Sequence, residues 1–98
     1  MEIRRSKNGD ALTVALKGRL DTMTAPELEE ELKTVLPDAD ELTLDLEDLE
    51  YVSSAGLRVL LSAHKAMRSR GGMRIVHAND IIKEIFEVTG FTDILNVE

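Results

Sequence analysis

The feature that most constrains this chain is a change of hydrophobic period across a short polar junction, residues 53–56. In the segment 42–46, leucines alternate with polar residues, which is the spacing of a half-buried strand. In the segment 57–61, the leucines instead recur at helical spacing. The sequence therefore predicts a strand that passes through two serines and a glycine into a helix. Free amides and the helix dipole make such a junction favourable for an anion.

The chain opens with a predicted β-hairpin. Short strands are expected over residues 2–6 and 11–17, and Asn8-Gly9 between them is a strong signal for a two-residue turn. Alternation in the second strand places three apolar residues on one face, which we expect to be buried: Leu12, Val14 and Leu16.

Three helices are predicted from the signals at their ends. Thr24, with Glu27 three residues later, has the pattern of a capping box at the start of the first helix, and Pro37 stops that helix. The helix after the junction ends in the basic, glycine-containing segment 68–72, whose cations suit a helix C-terminus. Asn79 is expected to cap the third helix.

The order of the predicted elements defines the fold class. Further strands are expected over residues 41–46 and 73–77, and a short terminal strand or turn over 92–97. Strands separated by single helices need crossover connections, so the sheet is expected to be largely parallel. The opening hairpin adds an antiparallel edge. We therefore predict a single α/β domain over residues 1–98, with a mixed, mostly parallel sheet and helices packed against it.

Composition narrows the functional classes. The formal net charge of −7 argues against direct binding to nucleic acid, which usually requires a basic surface. The chain has no cysteine, which excludes disulfide and thiolate chemistry. No apolar run resembles a signal peptide or is long enough to span a membrane. These features predict a soluble cytoplasmic domain without membrane contact.

A serine hydrolase is the first functional alternative. Ser54 would need a histidine base, but His64 lies about 15 Å further along the same predicted helix. His77 ends the neighbouring strand and has no carboxylate partner that the sequence identifies. The α/β-hydrolase pattern of a glycine two residues on either side of the serine is also absent, because Val52 and Gly56 flank Ser54. We therefore predict no catalytic residue.

Metal and nucleotide sites are not predicted either. The acidic run at residues 45–50 lacks the spacing and the glycine of a calcium-binding loop. No glycine-rich phosphate loop with a following lysine is present. We therefore expect no metal and no cofactor bound by this chain.

A phosphorylation site requires less machinery. A phosphate on Ser54 would add a charge of about −1.5 to −2 that faces the free amides of the helix. The small side chains of Ala55 and Gly56 would let a partner approach closely. The alternative is that Ser53 or Ser54 serves only as the helix N-cap, and the residues taken alone favour that alternative.

Several motifs together resemble the STAS domain family, in particular the bacterial anti-sigma factor antagonists. The central segment Ser53-Ser54-Ala55-Gly56-Leu57 resembles the family's Asp-Ser-Ser-Gly-Leu motif between a strand and a helix. Gly18-Arg19-Leu20-Asp21 resembles its Gly-x-Leu-Asp loop. Gly71-Gly72 before a strand, and Phe86 with Gly90 near the end of the chain, also fit the family. The resemblance spans essentially the whole chain.

The resemblance implies a partner switch. An unphosphorylated antagonist binds an anti-sigma factor that is also a serine kinase, and this releases the sigma factor. The kinase uses its own ATP to phosphorylate the antagonist, and a serine phosphatase reverses the modification. The acceptor implied here is Ser54, and the chain is expected to be a monomer or weak dimer. The same family also includes scaffolds and regulatory subunits of transport or stress-signalling complexes, which remains an alternative.

Two positions depart from the family motif. Ser53 stands where the family has an aspartate, which makes Ser53 a possible second acceptor, and Ala55 stands where it has a second serine. The resemblance implies that the partner contacts the following residues around the acceptor: Asp21, Thr22, Met23, Ser53, Ser54, Ala55, Gly56, Leu57 and Arg58.

Overall fold

Four strands lie side by side in the order of the chain. In the computed structural model, which describes residues 1–98, they are β1 (Glu2–Asn8), β2 (Ala11–Leu20), β3 (Glu41–Val52) and β4 (Met73–Val76). β1 is antiparallel to β2, whereas β2 and β3, and β3 and β4, are parallel. The predicted mixed α/β sheet is therefore confirmed.

Helices make the connections between the parallel strands. α1 (Ala25–Val35) joins β2 to β3 and α2 (Ser54–Met67) joins β3 to β4, whereas α3 (Asp80–Val88) follows β4. Short 3-10 turns lie at Leu36–Asp38 and Phe91–Asp93. The predicted terminal strand is reduced to a single bridge, in which Val97 pairs with Ile75. None of the helices has both the length and the apolar character that crossing a membrane requires.

One face of the sheet forms the core. Leu12 of β2 lies opposite Leu42 of β3, Val14 lies opposite Leu44, and Leu44 lies opposite Ile75 of β4. These residues share a face, and each is at most 5% exposed, as the alternating pattern predicts. No polar or charged residue is among the buried ones. The polar groups available for binding or chemistry therefore lie at the surface.

The hairpin forms as predicted, but its turn lies one residue further along. Asn8 pairs with Ala11, so Gly9 and Asp10 are the turn residues. Gly9 has a φ of 64°, and Asp10 is not among the residues with positive φ. A type II′ turn needs positive φ only at its first central residue, so one glycine satisfies it and Asn8 remains in the strand.

The predicted capping box of α1 is wrong, although the helix begins where it was expected. Thr24 occupies the N-cap position, but its side chain accepts no bond from a helix amide. Its hydroxyl instead donates to the carbonyl oxygen of Arg19 at 2.8 Å and accepts from the N–H of Asp21 at 2.8 Å. The Thr24 side chain therefore stabilises the loop before the helix.

β3 continues to Val52, well beyond its predicted end at Leu46. Its 12 residues lie against 10 residues of β2, because the register shifts twice. Each shift is a β-bulge that adds one residue to β3. The buried residues consequently change from a spacing of two to a spacing of three, at Leu46, Leu49 and Val52. That spacing does not match the period of a regular strand. For this reason the alternating pattern predicted the end of β3 too early.

β4 is one residue shorter than predicted, because His77 leaves the extended conformation with a φ of 62°. Asn79 then caps α3 as predicted, since its Oδ1 accepts from the N–H of Ile82 at 2.8 Å. Its Nδ2 donates to the carbonyl oxygen of Leu49 at 3.1 Å. Asn79 thus joins the start of α3 to the bulged part of β3.

Within the basic segment after α2, the Arg70 side chain caps a different helix from the one predicted. Arg70 Nη1 donates to three carbonyl oxygens, at 2.6, 3.1 and 2.7 Å, which belong to Leu36, Pro37 and Ala39. These residues form and follow the 3-10 turn that ends α1. Cations stabilise helix C-termini by such contacts, so Arg70 ties the far end of α2 to the end of α1.

Candidate functional site

The junction lies at the end of β3, beside the loop that follows β2. The N–H of Ser53 donates to the carbonyl oxygen of Leu20 at 2.8 Å, and Leu20 also lies opposite Val52 in the sheet. The two parallel strands therefore end together. Residues 21–24 and residues 53–56 leave the sheet at the same edge, so the structure brings together the two segments implied by the family resemblance.

The two serines of the junction have different environments. Ser53 is the N-cap of α2, and its Oγ accepts from the N–H of Gly56 at 3.3 Å. Ser54 is the first residue of the helix and is exposed, whereas Ser53 is half-buried. The structure therefore assigns the capping role to Ser53 and leaves the Ser54 side chain outside the cap.

Two amides at the start of α2 have no acceptor within the helix. The first bond within α2 is donated by the N–H of Leu57 to the carbonyl oxygen of Ser53 at 2.9 Å. The Gly56 N–H is occupied by the cap, so the N–H groups of Ser54 and Ala55 have no acceptor within the helix. Together with the helix dipole, they favour a negative charge at this position.

Gly56 has a structural role that differs from the predicted one. It is buried, and a Cβ at this position would lie 2.7 Å from the Cγ and 3.0 Å from the carbonyl oxygen of Leu20. The absence of a side chain thus lets α2 pack closely against the end of β2. The expectation that Gly56 opens space for a partner is wrong, because the space is already filled by Leu20.

Burial also divides the residues expected to contact a partner. The Leu57 side chain, only 5% exposed, belongs to the core, so it does not present a surface for binding. Thr22, Met23, Ser54 and Arg58 are exposed. Partner contact therefore remains a prediction for the members of the set that reach the surface: Asp21, Thr22, Met23, Ser53, Ser54, Ala55 and Arg58.

The Asp21 carboxylate organises the loop after β2. Its Oδ1 accepts from the N–H of Met23 at 2.9 Å and from the N–H of Thr24 at 3.1 Å. The bond from the Thr24 backbone, which outweighs the opposing effect of partial desolvation, lowers the pKa of Asp21 below its ordinary value. The Arg19 guanidinium, 3.9 Å away, adds a smaller attraction in the same direction. Asp21 thus accepts the bond from the Thr24 N–H that the capping-box pattern had assigned to the Glu27 side chain.

Met23 is the most exposed large apolar residue of the chain, with 86% of its surface accessible. It stands at the tip of the Asp21 loop, next to the junction. A groove between α1 and α2, lined by Leu32, Val59 and Met67, lies apart from this tip. An exposed apolar tip of this kind suits contact with another protein.

Arg19 and Tyr51 form a contact that the sequence analysis missed. They lie opposite each other at the end of the β2–β3 pair, with the guanidinium carbon 4.6 Å from the centre of the ring. This cation–π contact holds Arg19 where it also attracts Asp21. These residues are paired only because of the register after the second bulge, so no local pattern in the sequence indicates their contact.

The histidines do not assemble a hydrolase site with Ser54. His77 Nδ1 lies 3.0 Å from Asp45 Oδ1, so a carboxylate partner exists that the sequence did not identify. From Asp45, however, β3 runs on to Val52, about 20 Å of strand, before the junction begins. His64 Nδ1 is buried without a hydrogen-bond partner. No base is therefore positioned on the Ser54 hydroxyl.

Comparison with known proteins finds close relatives of this sequence and fold. Residues 3–96 match the family described as Mlab, STAS domain. An anti-sigma-B factor antagonist of Staphylococcus aureus is 34% identical over 86 residues, which cover 86% of this chain and 80% of the relative. The crystal structure of an anti-sigma factor antagonist from Mycobacterium paratuberculosis has a TM-score of 0.89 at 23% identity, covering 98% of this chain and 83% of that one. The phosphorylated form of the Bacillus cell fate determinant SpoIIAA has a TM-score of 0.75 at 13% identity, covering 99% and 91%.

Proposed function

The chain belongs to the STAS domain family, and on that basis we propose that it is an anti-sigma factor antagonist whose partner binding is switched off by phosphorylation of Ser54. Relatives that align with most of the chain are named anti-sigma factor antagonists, which are regulatory proteins rather than enzymes. One neighbour in fold has been solved in a phosphorylated form. These relatives support the general role, and the geometry of the junction supports the proposed residue-level mechanism.

The observation that carries the proposal is the division of roles between the two serines. Ser53 is committed to the helix cap, whereas Ser54 is exposed and lies outside it. A kinase can therefore modify Ser54 without removing a bond on which α2 depends. Aspartate and serine are comparable N-caps, so Ser53 can replace the family's aspartate in this role. This supports Ser54, and not Ser53, as the acceptor.

The surroundings of Ser54 tolerate a phosphate in the free protein. The amides of Ser54 and Ala55 are available to it, and the exposed Arg58 lies one helical turn further along, on the same side of α2 as Ser54. Arginine pairs well with phosphate oxygens. We therefore expect the phosphorylated domain to keep its fold.

The same phosphate would weaken partner binding. In the proposed complex, the partner covers Ser54 together with the Met23 tip, and covering a phosphate removes its hydration. An interface built on the unmodified hydroxyl offers the new charge no dedicated partner. The switch thus operates by local charge and bulk, without refolding of the domain.

The proposed partners supply the kinase and phosphatase activities that the switch requires. An anti-sigma factor with serine kinase activity brings the ATP, and a serine phosphatase regenerates the unmodified form. This chain contributes no catalytic residue and binds no cofactor in the proposed scheme. The proposed location of the switch is the cytoplasm, where sigma factors act.

The decisive experiment uses the anti-sigma kinase encoded in the same organism. Incubation with this kinase and ATP should place one phosphate on Ser54, which fragment mass spectrometry will locate. Ser54→Ala should bind the kinase with unchanged affinity and resist phosphorylation. Ser54→Asp should bind at least about tenfold more weakly, because its charge imitates part of the phosphate.

Ser53→Ala is the matched control, since it removes the neighbouring hydroxyl. It should still accept phosphate on Ser54. Phosphate found on Ser53 alone would refute the assigned acceptor. Kinase binding that is unaffected by ATP and by Ser54→Asp would refute the switch and would favour a scaffold or a regulatory subunit of another complex.

A further inference from the structure

A second polar cluster lies on the open face of the sheet, apart from the junction. Asp45 and Glu47 belong to β3, and His77 directly follows β4. One potential ligand atom from each residue lies within 4.8 Å of the other two. The closest pair is His77 Nδ1 and Asp45 Oδ1, at 3.0 Å. Three side chains of types that can bind a metal ion thus lie close together.

The sheet topology brings these residues together. Asp45 lies opposite Val76, the last residue of β4, so the next residue, His77, begins beside Asp45. The first bulge of β3 follows Asp45. Glu47 lies in this bulge and is exposed, and the next buried residue after Leu46 is Leu49. The N–H of Glu47 donates to Asp45 Oδ1 at 3.1 Å and fixes the orientation of that carboxylate.

The charges of the cluster are not balanced by lysine or arginine. Asp45 has an ion pair only with His77, and Glu47 has none. Other carboxylates of the sheet and its surroundings, such as Glu31 and Glu98, are instead paired with arginine. Two carboxylates without a fixed cation, in a chain of net charge −7, leave this position favourable for a positive ion.

The donor set indicates the kind of ion. One imidazole nitrogen and two carboxylate oxygens match the ligands of Zn²⁺ and related divalent transition metals. Mg²⁺ and Ca²⁺ prefer oxygen ligands alone. We propose that Asp45, Glu47 and His77 form a surface site for a divalent transition-metal ion such as Zn²⁺, with water or a partner's side chain completing the coordination. The bound ion would link the bulge of β3 to the end of β4.

The test uses untagged, chelator-treated protein and isothermal titration with ZnCl2 and MgCl2. We expect one Zn²⁺ per chain, bound at least about tenfold more tightly than Mg²⁺, and a Zn²⁺-dependent rise in the melting temperature. His77→Gln and Asp45→Asn should each weaken Zn²⁺ binding by at least about tenfold, since even indirect support of a metal ligand is worth that much.

Asp48→Asn is the matched control, because Asp48 is an exposed carboxylate of the same strand outside the cluster. It should leave Zn²⁺ binding unchanged, and far-ultraviolet circular dichroism will confirm that all variants are folded. Three results would each overturn the proposal: no Zn²⁺ binding at millimolar concentration, equal Zn²⁺ affinity in His77→Gln, or equal affinities for Zn²⁺ and Mg²⁺.

Discussion

The two halves of β3 form an instructive contrast. The first half, residues 41–46, alternates regularly and pairs with β2 on one side and with β4 on the other. The second half, residues 47–52, contains two bulges and pairs with β2 but not with β4. Both halves contribute buried residues to the core, and the irregular half also carries the chain to the junction.

The two halves of β3 differ in what they determine: the first half mainly stabilises the core, and the second half also sets the position of the junction. In the regular half, Leu42 and Leu44 are each buried between paired neighbours in β2 and β4, which hold them in the core. In the irregular half, the bulges set where β3 ends relative to β2, and thereby bring residues 53–56 next to residues 21–24. Bulges commonly aim side chains at functional sites in this way. Four predictions test this difference, in order of decreasing effect on stability.

The largest effect is expected in the regular half. Leu44 is fully buried, so Leu44→Ala should lower the free energy of unfolding by about 2–5 kcal/mol through lost apolar contact and a cavity. Urea denaturation will measure the loss, and the fraction that remains folded should still be phosphorylated on Ser54. The exposed Glu50, in the irregular half, provides the control, since Glu50→Ala should change stability by less than about 0.5 kcal/mol. Equal losses in the two variants would contradict the contrast.

A smaller but functional effect is expected at the junction. Gly56→Ala places a Cβ against Leu20, so we expect a loss of about 1–3 kcal/mol and slower phosphorylation of Ser54, because the start of α2 must move. Denaturation and a timed kinase assay will measure the two effects. Removing the Leu20 side chain as well should give less than the sum of the single losses. Strict additivity would show that the two residues do not interact.

How far the sequence predicted this structure depends on the range of the interactions. The alternation of Leu12, Val14 and Leu16 and the cap at Asn79 are local patterns, and both are confirmed. The bulges arise from pairing between β2 and β3, and they replace the period of two that the pattern search required. For that reason the second half of β3 was missed.

The errors at the site have the same origin. Thr24 was predicted to cap α1 with Glu27, but its hydroxyl donates to the Arg19 carbonyl oxygen, and its N–H donates to Asp21 instead of Glu27. Gly56 was assigned to a partner, although its neighbour is Leu20, from a strand far earlier in the sequence. Nothing in the local sequence indicates either contact. The division of roles between the two serines likewise required the geometry of the cap.

The two serines provide the third prediction. Ser53→Ala removes the bond to the Gly56 amide and should lower the stability by about 1 kcal/mol. Ser54→Ala should change it by less than about 0.5 kcal/mol, because Ser54 lies outside the cap and alanine is a good helix former. Parallel denaturation curves will compare them. A greater loss in Ser54→Ala would reverse the assigned roles.

The smallest effect is expected from the pH dependence of the Asp21 loop. Because hydrogen bonds from the loop lower the pKa of Asp21 below 3.8, its charged form stabilises the fold above that pH. The stabilisation is lost as the pH falls through the lowered pKa. Asp21→Asn keeps the shape without the charge. Its melting temperature should therefore lie below that of the wild type at neutral pH and approach it in acid. A difference that grows as the pH falls would contradict this account.

The two bulges of β3 also determine where insertions and deletions can be tolerated. Deleting a residue from the regular half would shift the following side chains to the opposite face and expose buried leucines. Deleting the extra residue at the first bulge would restore plain pairing between β2 and β3, and the residues beyond it would keep their partners. Length changes among natural variants of this strand should therefore concentrate at the bulges, where the position of Ser54 relative to the end of β2 is preserved.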